Sequence, residues 1–266
     1  MTAHAAARAG SRSLGGARRP RLTVDVAPGI HQLEHGFVNS YLVTEGDSVT
    51  LVDTGLPTTW PHLVAALGHL GRQVGDIHAV VLTHAHFDHL GVADRLRRQG
   101  TPVWLHPGDR KIARHPYRYA HERARLAYPL AYPAARPLLA GMARAGALWV
   151  RGVEATVDLA TSGEVDVPGR PSVVFSPGHT DGHTALHFPG RGALLSGDAL
   201  VTLDPYTGGR GPQIVAGAAT ADSEQALASL RALAATDAAL VLPGHGTVWR
   251  QGIASAVERA LATGAH

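Results

Sequence analysis

Apolar residues in this chain come in short runs, each closed by glycine, proline or a polar turn, and the period of each run points to its element. "RLTVDVAPGIHQLEHG" predicts a strand, a turn and a second strand. Phe37–Gly55 joins two apolar runs through "EGD", a hairpin signal. Thr58–Gly71 opens with a Thr cap, spaces its apolar residues for a helix and stops at glycine. A buried strand in "DIHAVVLT", a short helix in "GVADRLRRQG" and a strand in "TPVWLH" follow. Strand-like runs return over Gly163–Leu200. A helix over Asp222–Thr236, a strand in "AALVLPGHG" and a last helix from about Gln251 to Thr263 complete the pattern. Each half therefore reads as a hairpin-rich sheet followed by helix–strand units, without a short tandem repeat.

Residues 107–150 break this rhythm. They are rich in Arg, Tyr and Pro and helical in character, with expected breaks at Pro116, Pro129, Pro133 and Pro137. The segment reads as a helical cap inserted into a single domain over residues 21–266, preceded by a disordered tail over residues 1–20. A cap would bring tyrosines (Tyr117, Tyr119, Tyr128, Tyr132) and arginines (Arg114, Arg118, Arg123, Arg125) near a site. Of these, Tyr117 and Arg118 are the expected substrate contacts.

Composition narrows the chemistry. With 266 residues, 45% of them hydrophobic and 17% charged, the chain can bury a substantial core. Net charge is only +3, and several of the arginines sit in the first 21 residues, so no nucleic-acid face is expected. No apolar run reaches the length of a membrane span, and the first residues lack the apolar stretch of a secretory signal, so a cytoplasmic protein is expected. There is no cysteine, which excludes disulfides, thiolate metal sites and cysteine nucleophiles. A metal must be held by His, Asp or Glu.

The stretch "VLTHAHFDHLG" offers such ligands at the end of a strand: His84, His86, Asp88 and His89. Three further strand-like runs end the same way, in "VVFSPGHT" with His179, "GALLSGDAL" with Asp198 and "ALVLPGHG" with His245. His84 and His86, two apart, leave an extended segment on one side, while Asp88 and His89 come after the turn and can address a second centre. Nitrogen and oxygen donors without thiolate suit zinc, and equally iron or manganese.

"THAHFDH" followed by "GHT", "GDA" and "PGHG" resembles the metallo-β-lactamase superfamily over roughly residues 22–250. The core is similar to those of hydroxyacylglutathione hydrolases and homoserine-lactone lactonases. The resemblance implies an α+β fold, a four-layer αββα sandwich with the site at one edge. It implies two zinc ions per chain: one on His84, His86 and His179, a second on Asp88, His89 and His245, with Asp198 bridging. It also implies that Asp53, in "LVDTG", orients a ligand histidine. His106, at the end of "TPVWLH", is a further candidate behind the ligands.

The expected reaction is hydrolysis of a small ester, thioester or lactone by a hydroxide shared between two metals, with Asp88 orienting it and moving its proton. Lactonases of the family carry a tyrosine three residues after the bridging aspartate. Val201 stands there, and Tyr206 takes that part only if its loop folds back. Asp198 speaks against a true β-lactamase, and the lack of a basic segment against a nuclease. The alternative is a mononuclear-iron enzyme resembling persulfide dioxygenases, loosely echoed by "GDALVTLDPYTGGRG". The expected partner is a small-molecule substrate, with neither nucleic acid nor membrane, and a homodimer is left open.

Overall fold

Alternate residues of a strand part to opposite faces, and in this protein both faces are apolar, so each sheet is covered twice. The computed structural model describes residues 19–266. The tail expected over residues 1–20 thus lies, but for its last two residues, outside the described residues. Strands β1 (Arg21–Ala27), β2 (Ile30–His35), β3 (Val38–Glu45) and β4 (Ser48–Val52) run antiparallel, one hairpin after another. Helix α1 (Trp60–His69) crosses back so that β5 (Ile77–Val81) lies parallel to β4. After α2 (Ala93–Arg98), β6 (Val103–Leu105) adds parallel to β5. The inserted segment holds three short helices, α3 (Arg110–Arg114), α4 (Tyr128–Ala131) and α5 (Arg136–Arg144). β7 (Val157–Asp158) then completes a seven-stranded sheet.

The second sheet begins with β8 (Ser162–Glu164), β9 (Ser172–Phe175), β10 (Thr184–Phe188) and β11 (Ala193–Gly197), all antiparallel neighbours. A hairpin of β12 (Val201–Leu203) and β13 (Arg210–Gln213) stands apart from it. After α6 (Ser223–Ala234), β14 (Leu240–Pro243) adds parallel to β11 and makes the sheet five-stranded. α7 (Ile253–Thr263) follows.

Three apolar layers hold these elements. Tyr41, Val43, Val52 and Val81 of the first sheet meet Leu186, Phe188, Leu195 and Leu242 of the second. Leu42, Leu51 and Val80, on the other face of the first sheet, pack under Leu67 of α1, Leu96 of α2 and Met142 of α5. Ala185, Leu194 and Val241, on the outer face of the second, pack under Leu230 and Leu233 of α6 and Ile253 and Val257 of α7. The architecture is the αββα sandwich that the sequence implied.

Two local expectations are corrected. Thr59, just before α1, forms no side-chain cap. Its hydroxyl is taken by the Leu56 N–H (3.1 Å) and by the His35 ring (3.0 Å). In the insert, Pro129 and Pro137 sit in the first turns of α4 and α5. They open helices instead of breaking them, because a proline there lacks only an N–H that has no helical partner anyway.

The two sheets are also tied by hydrogen bonds at one edge. Asn39 of β3 donates through Nδ2 to Pro243 O (2.8 Å) and Gly246 O (2.9 Å), and Tyr41 donates to Pro243 O (2.8 Å). Across the seam, Thr184 N donates to Thr83 O (2.8 Å). Replacing Asn39 by Ala leaves two carbonyls without this donor. We expect a loss of about 1–3 kcal/mol of stability in urea unfolding, the cost of an unmet buried polar group.

Candidate metal centre

Every ligand candidate follows a strand that points at this seam. His84, Ala85 and His86 leave β5 in extended backbone, and a turn over residues 87–89, closed by His89 N to His86 O (3.0 Å), delivers Asp88 and His89. His179 follows β9, Asp198 follows β11 and His245 follows β14. Two glycines make the approach close enough. Gly197 takes φ +51° to turn Asp198 inward, a conformation that costs glycine nothing. At Gly244 a Cβ would collide with Asp198 Oδ1, so the turn before His245 must be bare.

The structure brings all seven side chains together. His84, His86 and His179 form one group, and Asp88, His89 and His245 another, with the donor atoms of each within 4.8 Å of one another. Asp198 lies between: its carboxylate oxygens are 3.5 Å from His179 Nε2, 3.9 Å from His84 Nε2, 3.6 Å from His89 Nε2 and 3.2 Å from His245 Nε2. All seven are buried. Among the described residues, the Nε2 atoms of His84, His86, His89 and His179 and Oδ1 of Asp198 have no hydrogen-bond partner. Buried polar atoms are almost always paired. Converging nitrogens and a carboxylate left bare in this way fit divalent cations.

The far nitrogens of the rings are engaged, which fixes their tautomers. Asp53 Oδ2 accepts from His89 Nδ1 (3.0 Å) and from the Thr83 hydroxyl (2.9 Å), while Oδ1 accepts from Thr83 N (2.9 Å). The Thr83 hydroxyl, so committed as a donor, accepts from His84 Nδ1 (3.0 Å). His179 Nδ1 donates to Thr220 Oγ1 (3.2 Å), which itself donates to Val215 O (2.6 Å). His245 Nδ1 donates to Phe37 O (2.8 Å), on the opposite sheet. In each of these rings Nε2 is left as the ligand atom.

Two further residues, Asp109 and His183, complete this shell. Asp109 is fully buried and accepts from Ala85 N (2.9 Å), Thr180 Oγ1 (2.8 Å) and Gly182 N (2.8 Å). It clamps the loop of His84 and His86 to the loop of His179. Burial holds its carboxyl up at about 6 even against these three donors. His183 accepts at Nε2 from Asp198 N (3.0 Å) and Ala199 N (3.1 Å), holding the aspartate turn in place. Burial pushes it down to about 3, so it stays a neutral acceptor. The "DGHT" repeat of the "GHT" pattern was the only local hint of it.

Other expected contacts lie further out. His106 accepts from Gly108 N (3.2 Å) and packs on Phe175, shaping the turn that carries Asp109. Tyr117 spends its hydroxyl on Ala147 O (3.0 Å) and Val150 N (2.7 Å), and Arg118 is exposed. It is Tyr119, two residues from Tyr117, whose ring lies on His86, with centroids 4.0 Å apart. Tyr206 folds back into the same buried cluster as Tyr119 and Val201.

Charge divides the two trios. Burial and neighbouring imidazoles push His84 and His86 well below the usual range, and burial takes His179 down to about 4, so these are neutral ligands. Burial also disfavours charge on His245 and His89, but Asp198 outweighs it. With Asp88 it holds His245 up at about 10, and with Asp53 and Asp88 it holds His89 well above its ordinary value. Metal ligation requires both imidazoles to lose those protons. Zinc loading at neutral pH should therefore release protons, and affinity should fall as pH falls. Calorimetry in buffers of different ionisation heat measures that release. Asp53→Asn should weaken metal binding by about 10–100-fold in a competition titration with a chromophoric chelator, as loss of such an orienting partner does.

Comparison with known proteins agrees with this arrangement. The chain is 28% identical over 243 residues to the probable metallo-hydrolase YflN of Bacillus subtilis, covering 84% of this chain and 85% of that one. It is 30% identical over 185 residues to the N-acyl homoserine lactonase AttM of Azorhizobium caulinodans, covering 68% and 63%. Among solved structures it resembles TTHA1623 in a di-iron-bound form, with a TM-score of 0.55, 28% identity and coverage of 82% and 92%. The model of the metallo-beta-lactamase superfamily matches residues 33–245, a span that holds every ligand described above, and the chain belongs to that superfamily.

Proposed function

We propose that this protein is a metal-dependent hydrolase of small carboxylic esters, thioesters or lactones with a dinuclear centre. One observation carries the reading: two separate buried trios, His84–His86–His179 and Asp88–His89–His245, with the Asp198 carboxylate between them. The second trio favours a dinuclear centre over a mononuclear one. The likeness to a homoserine lactonase supports a carbonyl substrate, and the likeness to a di-iron protein keeps iron beside zinc and manganese as the metal.

Two divalent cations, when bound, supply a water of lowered pKa and polarise a carbonyl oxygen. The chain does the rest. Asp88 is buried, and the charges of His89 and His245 hold its carboxyl low before metal binds. Once those imidazoles ligate as neutral rings, bound cations would supply that charge, so a carboxylate oxygen could take the proton of the attacking water and return it to the leaving group. Its Oδ2 stays 3.2 Å from His245 Nε2, which fixes its direction. The wall of the site is built by Tyr119, Tyr206 and Arg125. The Arg125 guanidinium lies 4.0 Å from the Tyr119 ring centroid, and the buried Tyr119 hydroxyl sits beside the Tyr206 phenol. The substrate contacts on the insert are thus Tyr119 and Arg125, in place of Tyr117 and Arg118.

Exhaustive chelation should abolish hydrolysis of aryl esters, thioesters and lactones, and re-addition of zinc should restore it at two ions per chain by elemental analysis. One iron per chain, with oxygen consumed on a persulfide, would overturn the hydrolase reading.

A further inference from the structure

The turn between β12 and β13 carries Tyr206, and one buried carboxylate sets its shape. Asp204 is fully buried. Its Oδ1 accepts from Tyr206 N (2.9 Å), and its Oδ2 from Thr207 Oγ1 (2.9 Å) and Ala216 N (3.3 Å). Its backbone N–H donates to Gly209 O (2.9 Å), and its carbonyl accepts from Gly208 N (2.8 Å). The remaining donor comes from far along the chain. His266, beyond α7, donates through Nε2 to Asp204 Oδ2 at 2.8 Å. The His266 carbonyl accepts from the Tyr128 hydroxyl of the insert (3.1 Å) and from Gly217 N (2.9 Å). One residue therefore joins the Tyr206 turn, the insert and the segment after β13.

We propose that His266 is a positioning residue which, acting through Asp204, holds the Tyr206 phenol beside Tyr119 and so sets affinity for the carbonyl substrate. The substrate half of this rests on the hydrolase reading above. The physical basis is the scarcity of donors around a buried carboxylate. Without the imidazole, Asp204 Oδ2 keeps only a hydroxyl and a long amide contact, and a buried anion short of donors draws in water. The Tyr206 N–H is bonded to that same carboxylate, so the tyrosine moves with it. Tyr206 packs edge-on to Tyr128, with ring centroids 6.1 Å apart, and Tyr128 is the residue that His266 also grips. Both walls around Tyr206 thus depend on one side chain and its carbonyl.

The test uses the zinc-loaded full chain labelled with fluorotyrosine. It has six tyrosines, and the Tyr206 fluorine signal is assigned by its loss in Y206F. H266A should shift or broaden that signal, and H266Q, which keeps an N–H donor, should restore it. In kinetics on the best hydrolysed ester, thioester or lactone, H266A should raise KM about fivefold with a smaller change in kcat, as loss of uniform binding does. In the Y206F background the same substitution should add nothing. An unchanged fluorine signal in H266A overturns the positioning role, whether or not any substrate is turned over. A shifted signal with H266A and Y206F effects that add independently overturns the route through Tyr206. If the wild type hydrolyses none of the probes, the hydrolase reading fails, and the fluorine spectra still decide what His266 holds.

Discussion

Four imidazole nitrogens, on His84, His86, His89 and His179, are buried without a hydrogen bond among the described residues. Leaving such groups unpaired costs stability, and a cluster of them is tolerated where a cation will satisfy all at once. Asp88 and Asp198 supply the negative charge that such a cation requires, and until it arrives they hold protons on His89 and His245. The surrounding shell is arranged so that this state persists. Asp53, Thr83, Thr220 and the Phe37 carbonyl occupy the far nitrogens and thereby forbid the rings to rotate away.

The centre sits on the seam of the sandwich, and it draws on both sheets. His84, His86, Asp88 and His89 arrive from the first, and His179, Asp198 and His245 from the second. Metal binding and sheet docking are therefore energetically coupled. A cation that binds only the docked sheets stabilises them by mass action. Asn39, Tyr41 and Thr184 hold the seam in register without a metal, so that ligands more than a hundred residues apart meet within a few ångströms.

Around this centre lie the insert and the β12–β13 hairpin. Tyr119, Tyr128, Val201 and Tyr206 pack into one apolar cluster beside His86. Glu122 anchors the insert to the start of α6 through Ser223 N and Oγ, close to the Thr220 that orients His179. The insert is thus fastened close to the residues that orient the candidate ligands.

By itself the sequence offered the seven candidate ligands, their order and the strands that carry them, because each lies within two residues of a glycine or another candidate at the end of an apolar run, a signal contained within ten residues. The layers were implied by the resemblance that those ligand motifs carry. Only the tertiary structure decided what surrounds the ligands. Asp109 bonds partners 24, 71 and 73 residues away, His183 bonds 15 and 16 away, and Asn39 bonds 204 and 207 away. Nothing local distinguishes these from ordinary turn residues. The same holds for Tyr119 against Tyr117, since two residues of turn decide which ring reaches His86. A strand end delivers a side chain by its own geometry, whereas a hydrogen bond between distant loops exists only once packing has set the distance between them.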